Sequence, residues 1–325
     1  MGPEEPSEDP AARVPRAAEG ALGAPGGLIP RVGYLGPEGT FSEEALLSGA
    51  APGSVQPVPQ ASIYDTVVAL REGDLEGAIV PIENSLDGSI SVTLDLLADE
   101  ADDVRIVGET LLTVRHSLIA TQTVELCEIE TVLTHPQVPG QCARFLHGEL
   151  AHARVLPASS TAEAVREVVG DTQPGRAALG TRLAADIYGG TVLREDVQDR
   201  DDNETRFVWL GRPGEKAPTP APLRGARDGE SGGGGRRGWK TSLVFWGPGA
   251  ESPGWLVRCL DEFARREINL TKIESRPRRE RLGHYMFFVD LEGGAQAERS
   301  VSDAVSGVRE ICEEVRVLGS YPPAR

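Results

Sequence analysis

The stretch RVGYLGPEGTFSEEAL, residues 31–46, decides the fold class. RVGYLG has the length and apolar content of a short strand, GPEGT is turn chemistry, and a helical pattern starts near Ser42. A strand that turns straight into a helix is the repeating piece of an α/β fold. Working outward, the same alternation recurs. SVQPVP (54–59) is followed by a helix over Ile63–Arg71, GAIVPIEN (77–84) by a helix over about Ser91–Glu100, and strands follow near Val104–Val107 and Leu111–Ala120. A helix after Pro139, a strand around Arg154–Leu156, a helix from Thr161, a strand at Ala177–Leu179 and a strand at Thr205–Leu210 continue the series.

The alternation has clear limits. Residues 1–30 carry little patterned apolar sequence and are expected to be a disordered tail. Residues 212–238, RPGEKAPTPAPLRGARDGESGGGGRRG, mix proline, glycine and charge and read as a flexible linker. Beyond them lies a second compact pattern: strand Thr241–Trp246, helix Trp255–Arg266, strands Leu270–Ser275 and Tyr285–Leu291, helix Ala297–Glu314 and strand Val315–Leu318. The order βαββαβ predicts a ferredoxin-like unit over 239–322.

Composition excludes several classes of function. With 325 residues the chain needs more than one core. A formal charge of -17 disfavours a nucleic-acid partner, because phosphate binding needs a basic face. No run approaches the roughly 20 apolar residues of a membrane helix. The acidic, proline-broken start lacks the form of a secretory signal, so a cytoplasmic location is expected. The four cysteines, Cys127, Cys142, Cys259 and Cys312, form no metal or disulfide spacing and read as reduced thiols. The five histidines show no metal-ligand spacing either, and no metal site is expected. No lysine precedes Lys216, so an anion bound earlier in the chain must use arginine, hydroxyls, backbone amides or helix N-termini.

Several strand ends carry candidate binding groups. Thr40 with Glu43, and Ser160 with Glu163, stand at capping-box spacing. Each alone is a helix cap; several such helix starts in one α/β unit could also turn their amides toward an anionic ligand. Glu83 and Asn84 follow the apolar run AIVPI, where strand ends commonly present ligand-binding groups. THPQVPGQ (134–141) puts a hydroxyl and two amides at a strand-to-helix turn. His135 within it is either a general base or a histidine held by packing. DRDDNETRF (199–207) reads by pattern alone as a solvated loop before the strand FVWL.

Together, GYLGPEGTFSEEAL (33–46), VPIENSLDG (80–88), THPQVPGQC (134–142), SSTAEAV (159–165) and NETRFVWLG (203–211) resemble, in order and spacing, the prephenate dehydratases. PGWL (253–256) and INLTKIESRP (268–277) resemble the ACT domain joined to those enzymes. The resemblance implies a catalytic region of two α/β lobes, like a periplasmic solute-binding protein. Lobe one would hold about 31–107 and 191–211, and lobe two about 108–190, with crossings near 108–113 and 190–195. It implies decarboxylating dehydration of prephenate to phenylpyruvate, with no cofactor.

By the same resemblance Thr205 is the catalytic hydroxyl, with Asn84, Thr134 and Gln141 lining the pocket. Arg206 is the expected carboxylate-binding group, and Glu83 an acid that could relay a proton. Thr40, Ser160, Thr161 and Phe207 complete the expected substrate contacts. The ACT domain implies a homodimer or homotetramer. L-phenylalanine would bind between two copies near Pro253, Gly254, Asn269, Leu270, Glu274, Ser275 and Arg276. Trp255 replaces the small residue usual after Pro-Gly and would either narrow that pocket or pack against the helix. Arogenate dehydratases share these motifs, and a non-catalytic amino-acid sensor would share the architecture; Thr-Arg-Phe argues against the latter. A fused chorismate mutase is not expected, since the 30 residues of tail cannot supply its helices.

Overall fold

A computed structural model describes residues 29–171, 173–220, 238–248 and 252–324. Most of the expected tail (1–28) and most of the expected linker (221–237) lie outside the described residues.

The first region opens with β1 (Arg31–Leu35), α1 (Phe41–Gly49), β2 (Gln56–Gln60), α2 (Ile63–Glu72), β3 (Gly77–Asn84), the short β4 (Gly88–Ser89), α3 (Ser91–Asp99) and β5 (Arg105–Thr113). The chain then builds β6 (Ser117–Ala120), β7 (Thr131–Thr134), α4 (Val138–Gln141), α5 (Ala143–Glu149), β8 (Arg154–Pro157), α6 (Thr161–Gly170), β9 (Arg176–Gly180), α7 (Arg182–Tyr188) and β10 (Thr191–Arg194). It returns in β11 (Glu204–Gly211). The C-terminal region is β12 (Lys240–Trp246), α8 (Trp255–Ala264), β13 (Leu270–Pro277), β14 (Tyr285–Glu292), α9 (Arg299–Ile311) and β15 (Glu314–Tyr321).

Among the described residues three sheets result. The first runs β2-β1-β3-β11-β5 with β4 beside β3, the second β10-β6-β9-β7-β8, and the third β13-β14-β12-β15. β1, β2 and β3 are parallel, while β11 is antiparallel to both β3 and β5. Pro57 and Pro59 are tolerated because β2 is an edge. The crossings come later than expected. β5 is one continuous strand paired with β11 from Arg105 to Thr113, so the chain leaves the first sheet only at Val114. On the return, β10 still pairs with β6, and the first sheet resumes at β11.

The third sheet has two working faces. Leu243, Phe245, Val289 and Leu291 form a core with Cys259, Phe263, Val305 and Val308 of α8 and α9. Its other face joins the first region, where Val244, Met286, Phe288, Leu318 and Tyr321 share one cluster with Val208, Leu210, Leu94 and Val67. Backbones also meet closely here. A Cβ on Gly319 of β15 would lie 2.2 Å from the Ile106 carbonyl oxygen of β5. The start of the expected linker packs as well: Pro218 and Pro220 lie over Gly77 and Gly108.

Candidate active site

A cavity of about 800 Å³ opens between the first and second sheets. Its lining comes from the carboxyl ends of β1, β2, β3 and β7 and the starts of α1 and α6, where α/β sheets commonly bind ligands. β11 crosses its floor with Thr205 and Phe207. The rim is tied across the cleft: Thr181 Oγ1 donates to the Gly39 carbonyl at 2.6 Å and Tyr188 Oη to the Glu38 carbonyl at 2.8 Å. Gly39 has φ 82°, and a Cβ there would meet Ala184 of α7 at 2.8 Å, so the approach needs glycine.

The β3–β11 pair sets the chemistry. Thr205 stands opposite Asn84, and Arg206 opposite Glu83. Between the Arg206–Glu83 and Phe207–Pro81 pairs the register shifts by one residue of β3. Strict alternation would put Asn84 on the face of Val80 and Ile82. The extra residue turns it onto the face of Thr205 instead.

Asn84 is fixed in one orientation. Its Oδ1 accepts from the backbone N–H groups of Leu86 and Asp87, both at 2.9 Å, so Nδ2 must be the donor end. Nδ2 donates to Thr205 Oγ1 at 2.9 Å and to Asn203 Oδ1 at 2.8 Å. Because the Thr205 oxygen accepts this bond, its own O–H is free to donate elsewhere.

Gln141 is held in the same way. His116 Nε2 lies 2.9 Å from Gln141 Oε1, and Gln141 Nε2 donates to Asp87 Oδ2 at 3.2 Å across the cleft. Burial lowers the His116 pKa, and the ring meets Phe41 edge-on. A neutral ring protonated at Nε2 supplies the donor that the Gln141 carbonyl requires.

The helix starts expected from capping spacing are present. Ser160 Oγ accepts from Glu163 N at 3.0 Å, and Thr40 caps α1 while donating to the Leu35 carbonyl at 2.9 Å. Thr40, Ser160, Thr161, Asn84, Gln141, Thr205 and Phe207 all line the cavity.

Three expected residues do not. Thr134 is fully buried, and its hydroxyl donates to the Leu179 carbonyl at 2.9 Å, so the neighbouring strand uses it. Arg206 and Glu83 share the far face of the first sheet, with Arg206 Nη2 3.0 Å from Glu83 Oε2. Arg206 also reaches Asp290 of β14 at 2.7 Å and Glu109 of β5 at 3.3 Å. Burial alone would lower its pKa, but Asp290, Glu109 and Glu83 outweigh that and keep the guanidinium charged. Lys240 Nζ joins Glu109 at 2.7 Å, and Lys272 lies 3.3 Å from Glu83. The expected carboxylate-binding arginine and proton-relaying acid are therefore part of the seam between the first and third sheets.

The cavity instead contains groups that sequence reasoning did not assign: Arg166, Asp87, His116 and Gln137. Arg166 is its lining arginine and pairs with Glu163 at 2.7 Å. His135 also lines it, and its Nδ1 accepts from the Gln137 amide at 3.4 Å. Among the described residues no cluster of three potential metal ligands occurs.

The expected effector residues fall in two groups. Pro253 and Gly254 precede α8, with Gly254 in the left-handed region as its N-cap. Asn269 follows that helix, Leu270 opens β13, and Glu274, Ser275 and Arg276 lie along β13, an edge strand. Arg276 is engaged within the chain, where Nε and Nη2 hold both oxygens of Asp95 on α3 at 3.0 and 2.9 Å. Trp255 packs into the core beside Phe245 and Phe287, and its Nε1 donates to the Ile311 carbonyl at 3.1 Å.

Comparison with known proteins places the chain in a family. The family model for prephenate dehydratase matches residues 32–215. The prephenate dehydratase of Mycobacterium sp. (strain JLS) is 39% identical over 306 residues, covering 90% of this chain and 89% of that one. The crystal structure of the Arthrobacter aurescens prephenate dehydratase in complex with L-Phe superposes with a TM-score of 0.77 at 35% identity, covering 91% of this chain and 90% of that one. GqqA, described as a quorum-quenching acylase, has a TM-score of 0.75 at 27% identity, covering 90% and 98%.

Proposed function

The chain belongs to the prephenate dehydratase family, and from that premise we propose that its cleft converts prephenate to phenylpyruvate, carbon dioxide and water, the aromatising step toward L-phenylalanine. The observation that carries the reading is the Asn84–Thr205 pair on the cavity floor. Prephenate loses its ring carboxylate as carbon dioxide, and the electron pair left behind expels the ring hydroxyl. That hydroxyl must take up one proton to leave as water. Asn84 occupies the lone pair of Thr205 and turns its O–H toward the leaving group. A neutral alcohol in this position stabilises the departing oxygen by a positioned hydrogen bond. No redox step or carbanion needs a cofactor.

Both carboxylates can be held without a buried cationic side chain. α1 and α6 belong to different lobes, and each brings an N-terminus with uncompensated N–H groups to the cavity. Ser160 and Thr161 add hydroxyls, and Arg166 adds charge at the rim. The two-lobed plan, like that of a solute-binding protein, lets closure exclude water while Gln141 and Asp87 meet across the cleft.

In the same reading the βαββαβ unit is an ACT domain that binds L-phenylalanine between two copies of the chain. The ten residues of α8 span about 15 Å, which separates the Pro253–Gly254 turn from Asn269 and Leu270 within one chain. A single amino acid would meet both groups only if two copies contribute them. Incubating the protein with prephenate, and separately with arogenate, while following the aromatic product tests the substrate. Phenylpyruvate from prephenate supports the proposal, and faster conversion of arogenate to phenylalanine would move it to the amino substrate. Calorimetry with L-phenylalanine tests the regulatory reading, which fails if millimolar ligand gives no heat.

A further inference from the structure

Two cysteines 53 positions apart in sequence meet in the C-terminal unit. Cys259 is on the inner face of α8 and fully buried; Cys312 is the C-cap of α9 and partly exposed. Their sulfurs stand 3.6 Å apart. We propose that Cys259 and Cys312 are a redox-modifiable pair that closes to an intramolecular disulfide by exchange with a small-molecule disulfide such as oxidised glutathione.

The geometry asks for little movement. A disulfide needs sulfurs about 2.05 Å apart, so from the 3.6 Å observed they must approach by roughly 1.5 Å. The roles differ by exposure. The Cys312 thiolate attacks one sulfur of the small disulfide, forming a mixed disulfide and releasing one thiol. The Cys259 thiolate then attacks the Cys312 sulfur and releases the second. Two protein thiols and one disulfide become one protein disulfide and two small thiols, with the two protons carried off by the leaving thiolates. The Arg258 charge near Cys259 favours its thiolate in the second, resolving step.

The location gives the bond a consequence. Trp255 lies one helical turn before Cys259, and its indole holds the carbonyl of Ile311, next to Cys312. A bond between the two sulfurs would fasten α8 to the end of α9 beneath the Pro253–Gly254 turn. The remaining cysteines offer no such pair: Cys127 is exposed and Cys142 is buried in the second-sheet region.

The full chain, reduced and freed of reductant, would be incubated with oxidised glutathione, its thiols counted after denaturation, and its peptides mapped by mass spectrometry. The proposal expects the four thiols of the sequence to lose the Cys259–Cys312 couple as one linked peptide. It also expects Cys259→Ser to trap glutathione on Cys312. It is overturned if both thiols stay free, if glutathione remains on Cys312 in the unsubstituted chain, or if Cys127 alone reacts.

Discussion

Thr205 and Arg206 are adjacent in β11, yet they serve opposite faces of the sheet: the hydroxyl stands on the cavity floor beside Asn84, and the guanidinium is buried against Asp290 of the third sheet. One strand thereby carries both the hydroxyl proposed to act on the leaving group and an ionic tie to the C-terminal unit.

Arg206 should consequently be a docking residue, and the first prediction separates it from Arg166. Arg206→Met leaves Glu83, Glu109 and Asp290 without their shared cation, and breaking such a buried network by removing one partner costs about 3 kcal/mol or more. Denaturant unfolding should show that loss, while KM for prephenate in the folded fraction changes little. Arg166→Ala should do the reverse, raising KM by about tenfold, equivalent to ~1.4 kcal/mol, with stability unchanged.

Asn84→Asp keeps the oxygen that accepts from Leu86 and Asp87 but removes the donor to Thr205. The hydroxyl is then free to turn toward the new carboxylate. Steady-state kinetics should show kcat reduced by roughly a hundredfold with a smaller change in KM.

His116 links pH to stability. Burial lowers its pKa from 6.5, so the unfolded chain takes up a proton first as pH falls. Its contribution is fully present above the unfolded-state value and is lost progressively as pH drops through the folded-state pKa, with a slope of at most about 1.4 kcal/mol per pH unit. Urea unfolding between pH 7.5 and about 5 should show the decline. His116→Gln, which can still place an N–H toward Gln141, should flatten it and retain more activity than His116→Leu.

Much of the architecture was legible from the chain because it is written in local chemistry. The caps at Thr40 and Ser160, the strand-length apolar runs and the βαββαβ order each depend on a few consecutive residues, and each appears near its expected place. What escaped was long-range. Arg206 follows the plain alternation of β11, on the face opposite Thr205 and Phe207, but the facing of Glu83 depends on a register shift between strands 120 residues apart, which no local alternation reveals. The Thr134 hydroxyl looked available until β9 supplied Leu179 as its acceptor. β5 read as two strands because Gly108, Glu109 and Thr110 interrupt its apolar pattern. Those residues face the third sheet, the linker and Trp209, partners that pattern reading cannot place. Asp87, His116 and Arg276 acquired partners for the same reason.

The most direct measurement is the rate of phenylpyruvate formation from prephenate by the unsubstituted chain, by Thr205→Ser and by Thr205→Ala. Turnover is expected in the first, substantial turnover in the second, and a loss of about a hundredfold or more in kcat in the third, with all three folded by circular dichroism. Equal turnover in all three would contradict this expectation, because the hydroxyl that Asn84 orients would then have no part in expelling the leaving group.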